Sequence, residues 1–183
     1  MSLRPGLGDV PAIRAIIEQL GGGRLEGGES MTKAIFPTPF PLPDGGATNW
    51  VRPEGHVDGY TNQWDFNPGV GVTLYLDPVA ERGGCFSVWP AQHKRVREFL
   101  EAHPEEIDGR QRSWQMFCEA EPGWQRASEL QFVGEAGSCM FWHAMLPHGA
   151  SLNASARPRL ATIARWRFPL PEVPPTIEMV SRS

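Results

Sequence analysis

Basic residues are in the minority in this sequence: 17 Lys and Arg against 21 Asp and Glu leave a formal charge of -4. The electrostatic footprint that a nucleic-acid partner demands is therefore missing. No apolar run approaches the roughly eighteen residues of a membrane span, and the opening MSLRPGLGDV carries no apolar signal core. Cysteine is scarce. Cys85, Cys118 and Cys139 are an odd number with no C-x-x-C spacing, which argues against a disulfide framework or a structural zinc knuckle and suits reduced thiols in the cytoplasm. Internal repeats are absent as well, so neither a solenoid nor a propeller is expected.

Glycine and proline are plentiful, and their placement sets the expected organisation. At 183 residues the chain is read as one domain, 1–183, able to bury about 70% of its unfolded surface. Residues 1–49 form an N-terminal helix and a Gly/Pro-rich loop, 50–168 a β core and 169–183 a proline-rich tail. Within 9–20, DVPAIRAIIEQL has helical spacing, with Asp9 as the expected cap, Pro11 in the first turn, and Val10, Ile13, Ile16, Ile17 and Leu20 on one face. Residues 24–49 offer only KAIF as a short strand. The runs GVGVTLYLD and CFSVW, bounded by Gly and Pro turns, are strands, and HKRVREFLEAH switches to helical period. Residues 105–129 read as polar and irregular, with Trp114, Phe117 and Trp124 anchored on the sheet. QFVGEAGSCMFWHAML returns to strands. Short strands at regular spacing predict a mainly β sandwich or jelly roll with a few flanking helices.

The residues that carry chemistry are few. In an extended segment His56 and Asp58 leave the same face about 6.5 Å apart at Cα, so both can reach one metal ion. Gly55, Gly59 and Pro53 disfavour a helix there. Of the histidines that could complete a site, His143 lies inside an apolar run, whereas His148 follows it and precedes Gly149 and has the freer approach. Two imidazoles and one carboxylate suit a ferrous ion with coordination positions left open. After His148 the small residues GASLNASA predict a hairpin into the strand RLATIARW, which returns Arg159 towards the same cavity. Its planar fork matches a carboxylate in a way lysine cannot. Arg165 has the same strand parity and is the alternative. Trp64, Trp89 and Trp142 are candidates for the pocket wall, although packing is the commoner role of such residues.

His56-x-Asp58, His148, Asn153 five residues on and Arg159 eleven residues on resemble the iron(II)/2-oxoglutarate dioxygenases of the phytanoyl-CoA dioxygenase type. The stretch LDPVAERGGCFSVWPAQH between them is similar to the family's acidic turn, glycine pair, apolar strand and histidine-ending loop. The resemblance covers roughly residues 50–168 and implies a double-stranded β-helix of the cupin-like kind. It further implies Fe(II) on His56, Asp58 and His148, 2-oxoglutarate chelated to that ion with its far carboxylate on Arg159, and dioxygen as oxidant. Asn153, Ser151 and Thr73 are further cosubstrate candidates. Ala91-Gln92-His93 replaces the family's Gly-Ser-His, and Ala150 stands where a serine is common, with Ser151 beside it.

The implied reaction yields succinate and carbon dioxide while an unactivated C–H bond of a small organic substrate is oxidised, commonly to the alcohol. Halogenating relatives carry a small residue at the carboxylate position; Asp58 fills it here. A cupin-like metalloenzyme that does without 2-oxoglutarate and a non-catalytic ligand-binding jelly roll are the rival readings. Relatives have more chain before H-x-D, so the loop 36–49 or a second subunit in a homodimer is expected to roof the site.

Overall fold

The computed structural model describes residues 6–36, 54–58, 69–103, 110–126 and 128–167. The loop over 37–49, Pro53, Gly59, Trp64 and the tail 169–183 lie outside the described residues.

Two antiparallel sheets carry the fold. The larger has the order β1 (Glu26–Ile35), β7 (Arg159–Arg167), β2 (Gly69–Tyr75), β5 (Cys139–His143), and the smaller has β4 (Leu130–Phe132), β3 (Phe86–Val88), β6 (His148–Ala150). Alternation along the strands explains why they face each other. On β7, Ala161 and Ile163 join Tyr75, Phe86, Val88 and Trp142 in the core between the sheets, while Ala164 and Trp166 join Val72 on the opposite face. Period-two side chains thus give the larger sheet two apolar faces, and each must be covered.

The outer face is covered by α1 (Pro11–Gly21), whose Ile13 and Ile17 pack with Leu7 on Val72, Ala164 and Trp166. Burying each isoleucine contributes about 1.5–3 kcal/mol. Val10, Ile16 and Leu20, expected on that face, are exposed instead, so the buried stripe is narrower than the apolar pattern suggested. Asp9 does not cap α1 either. Val10 is its N-cap, and the Asp9 carboxylate accepts the Gly6 amide at 2.8 Å in a preceding 3₁₀ turn.

Three further expectations are corrected. The Gly-rich segment after α1 is a ten-residue strand, β1, and not just KAIF. It tolerates its glycines because it is an edge strand: its register shifts between Gly27 and Ser30, and Gly28, at φ 97°, lies so close to the Trp166 ring that a Cβ would approach it to 2.9 Å. Within the stretch expected to be irregular, Arg110–Ala120 is a helix, α3, which packs with α2 (Gln92–Ala102). Trp114, Phe117 and Trp124 do serve as anchors, but against Val96, Leu100 and Trp89 in that helical layer. Finally, β6 and β7 are not a hairpin, since β6 pairs with β3 and β7 with β1 and β2. The segment between them crosses from one sheet to the other. Its turn is held by Asn153, whose amide donates to the carbonyls of Ile35 (2.9 Å) and Arg157 (2.7 Å) and whose carbonyl accepts from Ser155.

Candidate metal centre

His56, Asp58 and His148 meet at one end of the sandwich, with one ligand atom from each lying within 4.8 Å of the others. The first two arrive together because Val57 points the other way. It is fully buried in the helical cluster with Trp89, Trp124 and Met145, which turns its neighbours towards the opposite side. Gly55 makes the approach possible. It sits at φ 75°, and a Cβ there would come within 2.7 Å of Trp124 and 3.0 Å of Trp89. His56 and His148 then exchange both backbone hydrogen bonds at 2.8 Å, so the H-x-D segment continues the smaller sheet beyond β6. The Asp58 amide donates to the carbonyl of Ala144 at 2.9 Å.

The electrostatics suit a cation. His148 is buried, and its Nδ1 lies 2.8 Å from the Leu146 carbonyl. A carbonyl only accepts, so Nδ1 carries the proton and Nε2, 3.8 Å from Asp58 Oδ2, keeps its lone pair. Burial, partly opposed by Asp58, pushes the His148 pKa down to about 4, and the ring is neutral at pH 7. For Asp58, burial raises the pKa, but His148, Arg165 and His56 together outweigh it and hold the carboxyl below its ordinary value. His56 Nε2 is 3.7 Å from Asp58 Oδ1. Two imidazoles and one carboxylate on one side form the donor set of a facial triad, which leaves other positions of a six-coordinate ion open.

His143 is elsewhere. On β5 it has the opposite parity to Trp142; its Nδ1 accepts the Met145 amide at 3.0 Å, and its ring faces His93. Trp142, by contrast, packs on His148 with ring centroids 4.2 Å apart. It is fixed by a hydrogen bond from its Nε1 to Thr73 Oγ1 at 3.1 Å and by the bare backbone of Gly71. A Cβ at Gly71 would lie 2.1 Å from the indole. Gly71→Ala is therefore expected to cost about 1–3 kcal/mol by overpacking; urea unfolding that shows no loss would mean the indole has room to retreat.

The two arginines of β7 are on its inner face at opposite ends, six positions and about 20 Å apart along the strand. Arg159 is only 3% exposed, donates through Nε to the Gly84 carbonyl at 2.7 Å and has its guanidinium 5.9 Å from the Tyr75 ring centre. Its Nη1 is buried with no hydrogen-bond partner among the described residues. Burial lowers its pKa, against the pull of Tyr75 and Cys85. An unpartnered guanidinium nitrogen in a dry setting is costly unless an anion meets it, so the chemistry here fits a carboxylate ligand. Arg165 instead donates through Nε to Asp58 Oδ2 and lies over Trp142.

The other sequence candidates have employment of their own. Thr73 holds Trp142, Ser151 Oγ donates to the Leu152 carbonyl at 3.2 Å, and the Asn153 amide is committed to the inter-sheet turn. Trp89 is fully buried in the helical layer rather than in the pocket wall. The Arg165–Asp58 contact went unforeseen. Strand parity placed Arg165 on the correct face, but only the fold shows which end of that face it serves.

The phytanoyl-CoA dioxygenase (PhyH) family model matches residues 37–161. No curated protein matches the chain. Among solved structures it is similar to the epimerase SnoN in complex with Fe3+, alpha ketoglutarate and nogalamycin RO, at 20% identity and TM-score 0.59 over 86% of this chain and 56% of that one. The alpha ketoglutarate dependent carbocyclase SnoK from nogalamycin biosynthesis aligns at 18% identity and TM-score 0.59, covering 86% and 59%. EvdO2 from Micromonospora carbonacea var. aurantiaca, complexed with 2-oxoglutarate, aligns at 17% and 0.56, covering 89% and 62%. The chain thus spans about three fifths of the length of these structures. The shared fold is the mainly β jelly roll with flanking helices, and among the described residues the two sheets do not close into a barrel.

Proposed function

Since the chain belongs to the phytanoyl-CoA dioxygenase family, we propose that it is an Fe(II)- and 2-oxoglutarate-dependent oxygenase acting on a small organic substrate, with hydroxylation of an unactivated C–H bond as its reaction. The observation that carries this reading is the pairing of the His56, Asp58 and His148 cluster with a buried arginine on the same inner surface whose Nη1 has no described partner. SnoN, an epimerase, and SnoK, a carbocyclase, show that this fold also serves other reactions. Hydroxylation is the simplest of these outcomes.

His56, Asp58 and His148 would hold the ferrous ion, and Arg159 the far carboxylate of 2-oxoglutarate. Bound together with dioxygen, these supply oxidative decarboxylation to succinate and carbon dioxide and the removal of hydrogen from a C–H bond. The chain's own contribution is placement and dryness. The Leu146 carbonyl keeps the His148 proton on Nδ1, so Nε2 faces the ion without a protonation step. Trp142 and Phe86 pack on the His148 ring and keep water from that side. Asp58, its second oxygen bonded to Arg165, is oriented before any ligand arrives.

Purified protein supplied with Fe(II), ascorbate and 2-oxoglutarate is expected to form succinate slowly even without its substrate, and to stop when iron is withheld. Failure to form succinate, together with no detectable 2-oxoglutarate binding, would overturn the reading.

A further inference from the structure

Arg165 stands at the metal end of the inner face with only part of its hydrogen-bonding capacity used. Its Nε is bonded to Asp58 Oδ2 and its guanidinium carbon lies 5.6 Å from the centre of the Trp142 ring. Neither Nη group has a hydrogen-bond partner among the described residues, and the side chain is 45% exposed. It leaves β7 six positions from Arg159, about 20 Å away at Cα, and bonds Asp58 where Arg159 bonds the Gly84 carbonyl, so the two serve different ends of the inner face. Trp142 beneath it is fixed by Thr73 and Gly71, so the guanidinium is pre-set on two sides, by a carboxylate and by an aromatic face.

Charge decides what it would meet. A divalent ion on the three candidate ligands would be matched by Asp58 and by the acidic end of a chelated oxo acid. Arg165 is then the uncompensated cation next to the reacting centre, with donors arranged as a planar fork. Such a fork selects an oxyanion over a neutral group of the same shape.

Resting on the function proposed above, we propose that Arg165 is a specificity-determining residue: it binds a carboxylate on the substrate and so anchors the substrate beside the metal centre. Nε stays with Asp58, and the Nη donors take the anion.

The test loads the protein with Mn(II) and saturating 2-oxoglutarate and follows the proton relaxation of two probes, hexanoate and its neutral counterpart hexanamide. The paramagnetic ion accelerates relaxation only for a probe held near it. Hexanoate is expected to saturate the effect at up to about fivefold lower concentration than hexanamide, as for one half-exposed ion pair. Arg165→Gln should erase that difference. Arg165→Lys, which keeps the charge and loses the fork, should shrink it and serves as the deciding variant if Arg165→Gln does not take up metal. Mn(II) and 2-oxoglutarate binding are measured first on the wild type, and failure there counts against the proposed function. Full loading with equal responses to both probes overturns the assignment of Arg165 alone, as does a preference that the variants leave unchanged or a hexanoate signal that 2-oxoglutarate displaces.

Discussion

Replacing His148 by alanine is expected to reduce divalent-metal affinity by more than about 100-fold, measured as Mn(II) binding by electron paramagnetic resonance. Loss of a supporting contact to a ligand already costs about 10–100-fold, and loss of a ligand atom should exceed it. His148 is the right residue to test because its ring is set from three sides: the Leu146 carbonyl on Nδ1, Trp142 and Phe86 on its faces. The substitution also removes packing against Trp142 and Phe86, so thermal unfolding must be followed in parallel. His143→Ala is the matched control. That ring is half-buried, with its pKa pushed down to about 4 by burial and by His93, and it faces His93 rather than Asp58. Metal affinity should survive its loss. A variant pattern in which His143→Ala loses metal and His148→Ala keeps it would remove the triad from consideration.

Arg159→Ala is expected to weaken 2-oxoglutarate by roughly 30-fold to several thousand-fold, the range that corresponds to about 2–5 kcal/mol for truncating one member of a desolvated charge pair. Metal binding should be unaffected. The apoprotein gives a second, independent readout. Arg159 already carries a desolvation cost, visible in its lowered pKa and its unpartnered Nη1, so its removal costs the ligand-free protein little beyond one hydrogen bond to Gly84 and some packing. The rise in Tm that 2-oxoglutarate induces in the metal-loaded wild type should therefore vanish in the variant. Calorimetry showing tight binding retained in Arg159→Ala would hand the carboxylate to another cation and leave the buried Nη1 without an explanation.

Much of the sandwich was legible because its strands are punctuated by glycine and proline and alternate in pattern. H-x-D was legible for a similar reason. A period of two brings His56 and Asp58 to one side of Val57, and the structure does put that valine in the core. Elsewhere local pattern lost to partners far away in sequence. β1 shows no alternation of burial that could announce a strand, being an edge with most side chains in solvent. In α3, Trp114, Phe117 and Cys118 do stand at i, i+3 and i+4, but polar flanks masked that spacing. The small residues after His148 suggested a tight return, yet a hairpin there would have required β6 to leave β3. Pairing with a strand some sixty residues earlier settled the matter, and no window around the turn contains that information.

The exchange of backbone hydrogen bonds between His56 and His148 closes a long stretch of chain with a single two-bond rung. Loop-closure entropy grows only slowly with length, but a closure this long opposes folding until enough other contacts have formed. The rung also joins two parts of the molecule, because the segment of His56 extends the smaller sheet beside β6 while its Val57 is rooted in the helical layer. An ion bound by both would act as a reversible cross-link between those parts, with a strength set by free metal concentration rather than by sequence. In cells starved of metal the same chain would open first along this seam, and amide exchange at His56, Asp58 and His148 would report metal supply.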